Sequence, residues 1–304
     1  MTLLAFITMS LAWSFSWFAS KLQIDSFVPL ELSVFYRLAI TSVFMFVLCF
    51  IFKQRTTLHK KEIPFFFVIG LTNFCLNFCL GYYAVNFIPS GVVAVIFSLS
   101  IVTSEVISSL VDKRKISQKV VISSFIGFIG LCFFILPSLK FSEHADTLKT
   151  LTGVGIVLLM VLFYSIGNAM VVKNKKINHT PLYTSISYGC AFGSLILLTI
   201  NLVRGNKFVL DFSPEYLFSL AYLIIIASVI AFICLFYLIH KIGAAKANYT
   251  ALVYPTLALI TSSLLENFQF SFFNLIGFLL IIYALVIEFV SFDKLKRPMS
   301  GNRA

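Results

Sequence analysis

The sequence predicts an all-α integral membrane protein of ten transmembrane helices, arranged as two inverted five-helix repeats. Three observations predict it. The first is composition. The chain has 304 residues, of which 60% are hydrophobic and 12% charged, whereas soluble domains carry about 25% charged residues. A chain this apolar has the bilayer as its natural solvent. The second is internal similarity. At an offset of 154, Tyr83 meets Tyr237, Ile88 meets Ile242, and Ser108-Ser109-Leu110 meets Ser262-Ser263-Leu264. Asp112 then meets Glu266, and Ser117 meets Ser271. At an offset of 152, Pro29-Leu30 meets Pro181-Leu182, Ser33 meets Ser185 and Tyr36 meets Tyr188. The third is the placement of charge. The net charge of +11 sits in short loops between apolar runs rather than in one patch. That distribution is the cytoplasmic bias of membrane proteins and argues against a nucleic-acid partner.

A span needs about 20 apolar residues. In order, the candidates are Leu3–Ser20, Leu32–Phe52, Pro64–Phe87, Pro89–Val111 and Val120–Leu139, then Leu151–Val172, Leu182–Val203, Tyr216–Ile239, Ala247–Leu265 and Phe272–Phe292. No Lys or Arg precedes the first run and no small-residue cleavage site precedes Lys21, so that run reads as a span and not a signal peptide. The linkers are too short for a soluble domain. The predicted units are 1–146 and 147–292, one repeat each, with a cytoplasmic Lys-rich tail at 293–304. With both termini in the cytoplasm, the inner loops hold 17 Lys and Arg and the outer loops five. This places the chain in a bacterial inner membrane as a multi-pass protein. The abundance of Phe, Ile and Lys suits an AT-rich bacterial genome.

Five spans per repeat is odd, so the second copy enters the bilayer from the opposite side. The loops agree. Lys113–Lys119 corresponds to Asn267–Phe273, which has no Lys or Arg, and Lys53–Lys61 corresponds to Lys207–Glu215, which keeps one Lys. Inverted repeats frame many secondary transporters, with a site near the midplane where the halves meet.

Several stretches carry a family resemblance. Ala12-Trp13-Ser14-Phe15-Ser16-Trp17-Phe18-Ala19-Ser20-Lys21 is similar to a W-G-x-x-aromatic…K opening, with Ser14 in place of Gly. Pro29…Phe35-Tyr36-Arg37 is similar to a second-span signature, and Gly243-Ala244-Ala245-Lys246-Ala247 through Tyr254-Pro255 to a ninth-span signature. On these residues the whole chain resembles the drug/metabolite transporter superfamily, in its EamA-type ten-transmembrane branch. Phe268 stands where that branch carries the Glu of a Gly-Glu pair, and Glu266 comes two residues early. The resemblance implies a transporter of small organic solutes, and therefore no enzyme.

Polar side chains inside a span need a partner or a use. Glu105 is the acid deepest in a candidate span, on a face shared with Ser98 and Ser109 and near Ser100. It is either a proton or cation site or the structural partner of Arg37. Arg37, matched by Gly189 in the second half, either binds a substrate carboxylate, pairs with Glu105 or snorkels. Asn73 and Asn77 are one turn apart on the third span, as Tyr164 and Asn168 are on the sixth. Such groups either face a ligand or join helices. Trp13 and Trp17 share a face at mid-span, where they wall a cavity or meet lipid. Tyr249 and Tyr254 precede Pro255, whose missing N–H frees a carbonyl and suits a gate. The expected cavity is walled by spans one, three, four, six, eight and nine, with spans five and ten outside and available for a homodimer contact.

The six Cys fall in apolar runs without C-x-x-C spacing, and the four His show no metal-ligand spacing, so no metal or cofactor is expected. No phosphate-cradling glycine loop is present, so gradients or exchange would drive transport. A weakly polar, aromatic cavity suits amino acids or related zwitterions; S-adenosylmethionine or another cationic nucleoside-type metabolite is the alternative, with Glu105 as countercharge. An intramembrane enzyme needs a His, Asp or Cys cluster, and an ion channel a charged ring or Gly-rich filter; the sequence displays neither.

Overall fold

The computed structural model describes residues 1–113, 115–116, 118–140, 147–242, 250–266 and 269–295. Among these the chain forms helices joined by short loops, with no strand. The helices are α1 (Thr2–Ile24), α2 (Leu30–Ile51), α3 (Lys60–Ala84), α4 (Ser90–Val111) and α5 (Gln118–Lys140). They continue with α6 (Thr147–Asn178), α7 (Leu182–Val203), α8 (Pro214–Ala221, Tyr222–Ile230 and Ala231–Ile242, end to end), α9 (Thr250–Leu265) and α10 (Phe272–Leu295). Eight are long and apolar enough to cross a membrane; α9 and α10 add the shorter apolar helices Val253–Leu265 and Phe272–Ile287.

The starts and stops follow from local chemistry. Pro29, Pro89 and Pro181 precede α2, α4 and α7 with ψ of 136°, 147° and 150°. Proline fixes φ and has no N–H to leave unsatisfied, so it sits well just outside a helix. Pro89, expected within the fourth span, is therefore its cap. Ser213 caps α8 by accepting from the Tyr216 N–H. Lys53 and Gly205 end α2 and α7 in the left-handed region, at φ 50° and 67°. This is the usual exit from a helix.

Three antiparallel contacts hold the halves together. α2 lies against α7: Glu31 at the start of α2 is ion-paired with Arg204 just after α7, while Ser42 near the other end donates to the Ser187 carbonyl at 3.0 Å. α4 lies against α9. The Ser90 N–H donates to Glu266 at 2.9 Å, and a Cβ added to Gly91 would come within 2.8 Å of the Ala258 carbonyl oxygen. α5 crosses α10 closest of all, because Gly130 and Gly277 face each other and let backbone meet backbone. The Asn274 amide there donates to the Phe134 carbonyl at 2.6 Å.

Elsewhere α1 packs on α8 and α9, and α6 on α3 and α4. The two larger apolar clusters that result are one around Ile96, Val157 and Ile281 and one around Met45, Phe66 and Leu197. The space that the two clusters leave between them holds the candidate site.

Two features are not legible in the sequence. Gly70–Leu76 in α3 and Tyr222–Ile230 in α8 are π-helical. A π turn widens the helix and pairs each carbonyl with the N–H five residues on instead of four, and such turns occur often at functional sites. α6 also runs 32 residues, well beyond the apolar window of 151–172, since its flanking Thr and Lys residues continue the helix.

Candidate functional site

Between the halves lies a cavity of about 540 Å³, well within the range of small-molecule sites. α1, α3, α4, α6, α8 and α9 wall it, as the sequence leads one to expect; α2 and α7 also reach it, through Arg37 and through Ser185 and Ile186. Among the described residues, α5 and α10 contribute none to the wall.

The structure brings together ten of the side chains singled out from the sequence. Trp13, Trp17, Arg37, Asn73 and Asn77 are on the wall, as are Ser100, Glu105, Tyr164, Asn168 and Tyr254. Pro255 is buried inside α9 and is not on the wall. Tyr249 lies outside the described residues, as does Lys246.

Two aromatic chains cross the cavity from one half to the other. Trp17 meets Phe97 edge-on at 5.5 Å, and Phe97 meets Tyr164 at 4.9 Å. Trp13 meets Tyr254 at 6.0 Å and Phe232 at 6.5 Å. Edge-to-face contacts of this kind fix ring orientation as well as adding area. Phe97 and Phe232 had no sequence signal, because the chain has 35 Phe spread through its spans.

Of the hydrogen bonds that cross between the halves, two lie at the π-helical wall of the cavity. Asn73 Nδ2 donates to Asn168 Oδ1 at 3.0 Å, and Trp13 Nε1 donates to the Ala227 carbonyl at 3.2 Å. The second falls within the π segment of α8, as the first does in α3. Gly167 makes the first possible: an added Cβ would sit 1.9 Å from Asn73 Oδ1. The Ala227 carbonyl is a site residue that residue type alone does not reveal.

On α4 the wall is the stripe Phe97, Ser100, Ile101, Ser104, Glu105 and Ser108. Ser98 and Ser109, placed on the Glu105 face by their spacing, are buried beside that stripe, and Ser98 donates to the Val95 carbonyl. Ser104 donates to Ser165 across to α6 at 3.2 Å. Arg37 is 4% exposed, and its guanidinium lies over the Phe78 ring, 4.2 Å from the centroid. The ion pairs shown among the described residues are Arg55–Glu62 and Arg204–Glu31, so Arg37 is not held by Glu105.

Burial differs among the wall residues. Arg37, Tyr82 and Ser20, toward the Glu31 face, are nearly fully buried; Glu105, Ser108 and Leu235 are half-buried, and Val172, toward the Lys53 face, is exposed. The Glu31 rim is tied shut. The Tyr83 hydroxyl donates to Glu31 at 2.7 Å beside Arg204, Ser26 donates to Asp211 at 2.7 Å, and Ser90 binds Glu266. The Ser213 N–H and the Ser26 hydroxyl hold the Asp211 carboxyl below the usual carboxylate range.

Known proteins share this architecture. The chain is 22% identical over 299 residues to the Uncharacterized transporter YoaV of Bacillus subtilis (strain 168), covering 97% of this chain and 98% of the relative. It is 22% identical over 267 residues to Protein PagO of Salmonella typhimurium, covering 88% and 85%. It is 26% identical over 271 residues to the Uncharacterized transporter in trpA 3'region of Buchnera aphidicola subsp. Schlechtendalia chinensis, covering 88% and 84%. A solved crystal structure superposes with a TM-score of 0.65 at 14% identity, over 97% of this chain and 98% of its own, which shows the fold. The profile of the EamA-like transporter family matches residues 1–136 and 151–289, the two stretches that wall the cavity from either side. This protein therefore belongs to the EamA-like transporter family.

Proposed function

We propose that the protein is a secondary-active transporter that moves small zwitterionic metabolites, amino acids or their relatives, by alternating access across a bacterial inner membrane. The observation that carries this reading is the cavity, which both halves wall and whose Glu31 rim is closed by polar ties between them.

The contacts support two inverted repeats, 1–146 and 147–292. α1 on α9 is answered by α6 on α4, α3 on α6 by α8 on α1, and α3 on α7 by α8 on α2. This is the pattern produced when each span exchanges with the one five places on. The two hydrogen bonds at the π-helical wall obey it too: Trp13 and Asn168 are 155 residues apart, Asn73 and Ala227 154 apart. The 17 to five distribution of basic charge supports a cytoplasmic location for both termini and for the Lys53 face. The opposite state requires the ties at Glu31, Asp211 and Glu266 to release. The π segments of α3 and α8 provide places where those helices can bend.

The test is counterflow of radiolabelled amino acids into proteoliposomes of purified protein. Saturable exchange of at least one zwitterion is expected, abolished by Ser228→Phe at the cavity wall. Accumulation no greater than in empty liposomes for the whole amino-acid panel overturns the substrate class.

A further inference from the structure

We infer that the buried end of the cavity is a carboxylate subsite anchored by Arg37, so that solutes enter it acid group first. The inference rests on the transporter reading and names the group that the cavity recognises.

Arg37 is seven residues into α2, about 10 Å of helix rise inside a hydrocarbon core about 30 Å thick. A guanidinium stays charged at any accessible pH. A charge held in this setting needs a counter-anion. Neither ion pair described above includes Arg37, and its buried Nε has no hydrogen-bond partner. Its neighbours are the Phe78 ring and the Tyr82 hydroxyl, and Tyr82 donates its own proton to Gln23 at 2.7 Å. The ring supports the cation through one face. The planar edge is left for an oxyanion, and a carboxylate fits that edge with two parallel hydrogen bonds.

Nearby groups define the rest of the ligand. Asn77 Oδ1 is buried without a partner, one residue before Phe78, and gives an ammonium group an acceptor. Glu105 is fifteen residues into α4, and α2 and α4 start on the same face. Glu105 therefore lies about 12 Å of helix rise further in than Arg37. An α-amino acid, with ammonium and carboxylate on one carbon, does not span that distance. Its ammonium stays near Asn77, and its side chain runs toward Trp17, Phe97 and Tyr164. The predicted ligand is an α-amino acid with an apolar or aromatic side chain.

Binding to the full-length protein in detergent separates the contributions. The probes are L-phenylalanine, L-phenylalaninamide, 2-phenylethylamine and 3-phenylpropionate, read by thermal shift and calorimetry. Phenylalanine and phenylpropionate are expected to bind, and the amide and amine to bind at least tenfold more weakly. Arg37→Gln is expected to weaken phenylalanine at least tenfold, and Arg37→Lys by less, each checked for a monodisperse elution profile. Equal binding of acid and amide, unchanged affinity in monodisperse Arg37→Gln, or no shift from any of the common L-amino acids overturns the subsite. Counterflow of the same probes keeps the two readings apart. Transport of amines and amides by wild type and Arg37→Gln alike sinks the subsite and leaves a transporter. Acid-selective, Arg37-dependent binding without flux upholds the subsite and sinks the transporter.

Discussion

The two halves line the same cavity with different chemistry. The first half provides both charges, Arg37 and Glu105, together with Ser16, Ser20, Asn73 and Asn77. The second half provides Met160, Val171, Ile186, Phe232 and Leu235, with Tyr164, Asn168, Ser185, Ser228, Thr250 and Tyr254 as its polar groups. Equivalent positions show how the difference is accommodated. Arg37 corresponds to Gly189, and Phe74 corresponds to Ser228. In the second half a glycine receives a large ring: a Cβ added to Gly189 would come within 2.4 Å of Phe74. At the equivalent pair of positions the large residue is Arg37, of the first half, and the small one Ser228, of the second. Size is exchanged across the seam, so the halves keep one packing pattern while only one carries charge. A site of this kind takes its charged contacts from the first half alone.

Undoing the exchange should have the largest effect. Gly189→Leu adds bulk where the Phe74 ring already sits, between two helices that have no slack. Overpacking of this type costs about 1–3 kcal/mol, and more where backbones are in contact. Loss of the monodisperse peak in size-exclusion chromatography is expected, partly restored by Phe74→Ala in the same chain. Normal behaviour of Gly189→Leu alone would break the size-exchange account.

Filling the small partner on the other side should spare the fold and remove function. Ser228→Phe places a ring on the cavity wall near Arg37. Melting within a few degrees of wild type is expected, with ligand-induced thermal shifts and counterflow reduced at least tenfold. Retained counterflow would mean that the solute does not pass this part of the cavity.

The smallest effects sharpen the comparison most. Asn168→Ala leaves Asn73 Nδ2 without its acceptor, and Trp13→Phe leaves the Ala227 carbonyl without its donor. Interhelical hydrogen bonds in a bilayer contribute on the order of 1 kcal/mol. Each variant should melt lower by about 2 °C, and by similar amounts if the bonds are equivalent. A much larger fall for one of them would show that the halves share a fold without sharing the load at their seam.

Much of the architecture is legible along the chain because the bilayer enforces it locally. Each span must be apolar and satisfy its own backbone, so length and hydropathy alone set out the ten helices. Duplication is legible for a related reason: Tyr83 and Tyr237, or Pro29 and Pro181, are still recognisable at a constant offset. The polar members of the site were legible as exceptions, since Arg37, Asn73, Asn77 and Glu105 are out of place in lipid. Their partners were not. Spacing allowed Arg37 to pair with Glu105, but α2 and α4 place the two at different depths.

The sequence by itself determined how many helices cross, which residues resist lipid and which loops carry charge, since each is a property of a residue and its near neighbours. Tertiary structure alone decided that Phe97, Phe232 and the Ala227 carbonyl face the cavity, that α3 and α8 widen into π turns, and that Ser98 turns aside while Ser100 does not. Those outcomes depend on the angle at which helices from opposite halves cross. That angle is set where glycine lets backbones touch, at Gly70, Gly91, Gly130 and Gly277, by contacts between residues distant in the chain.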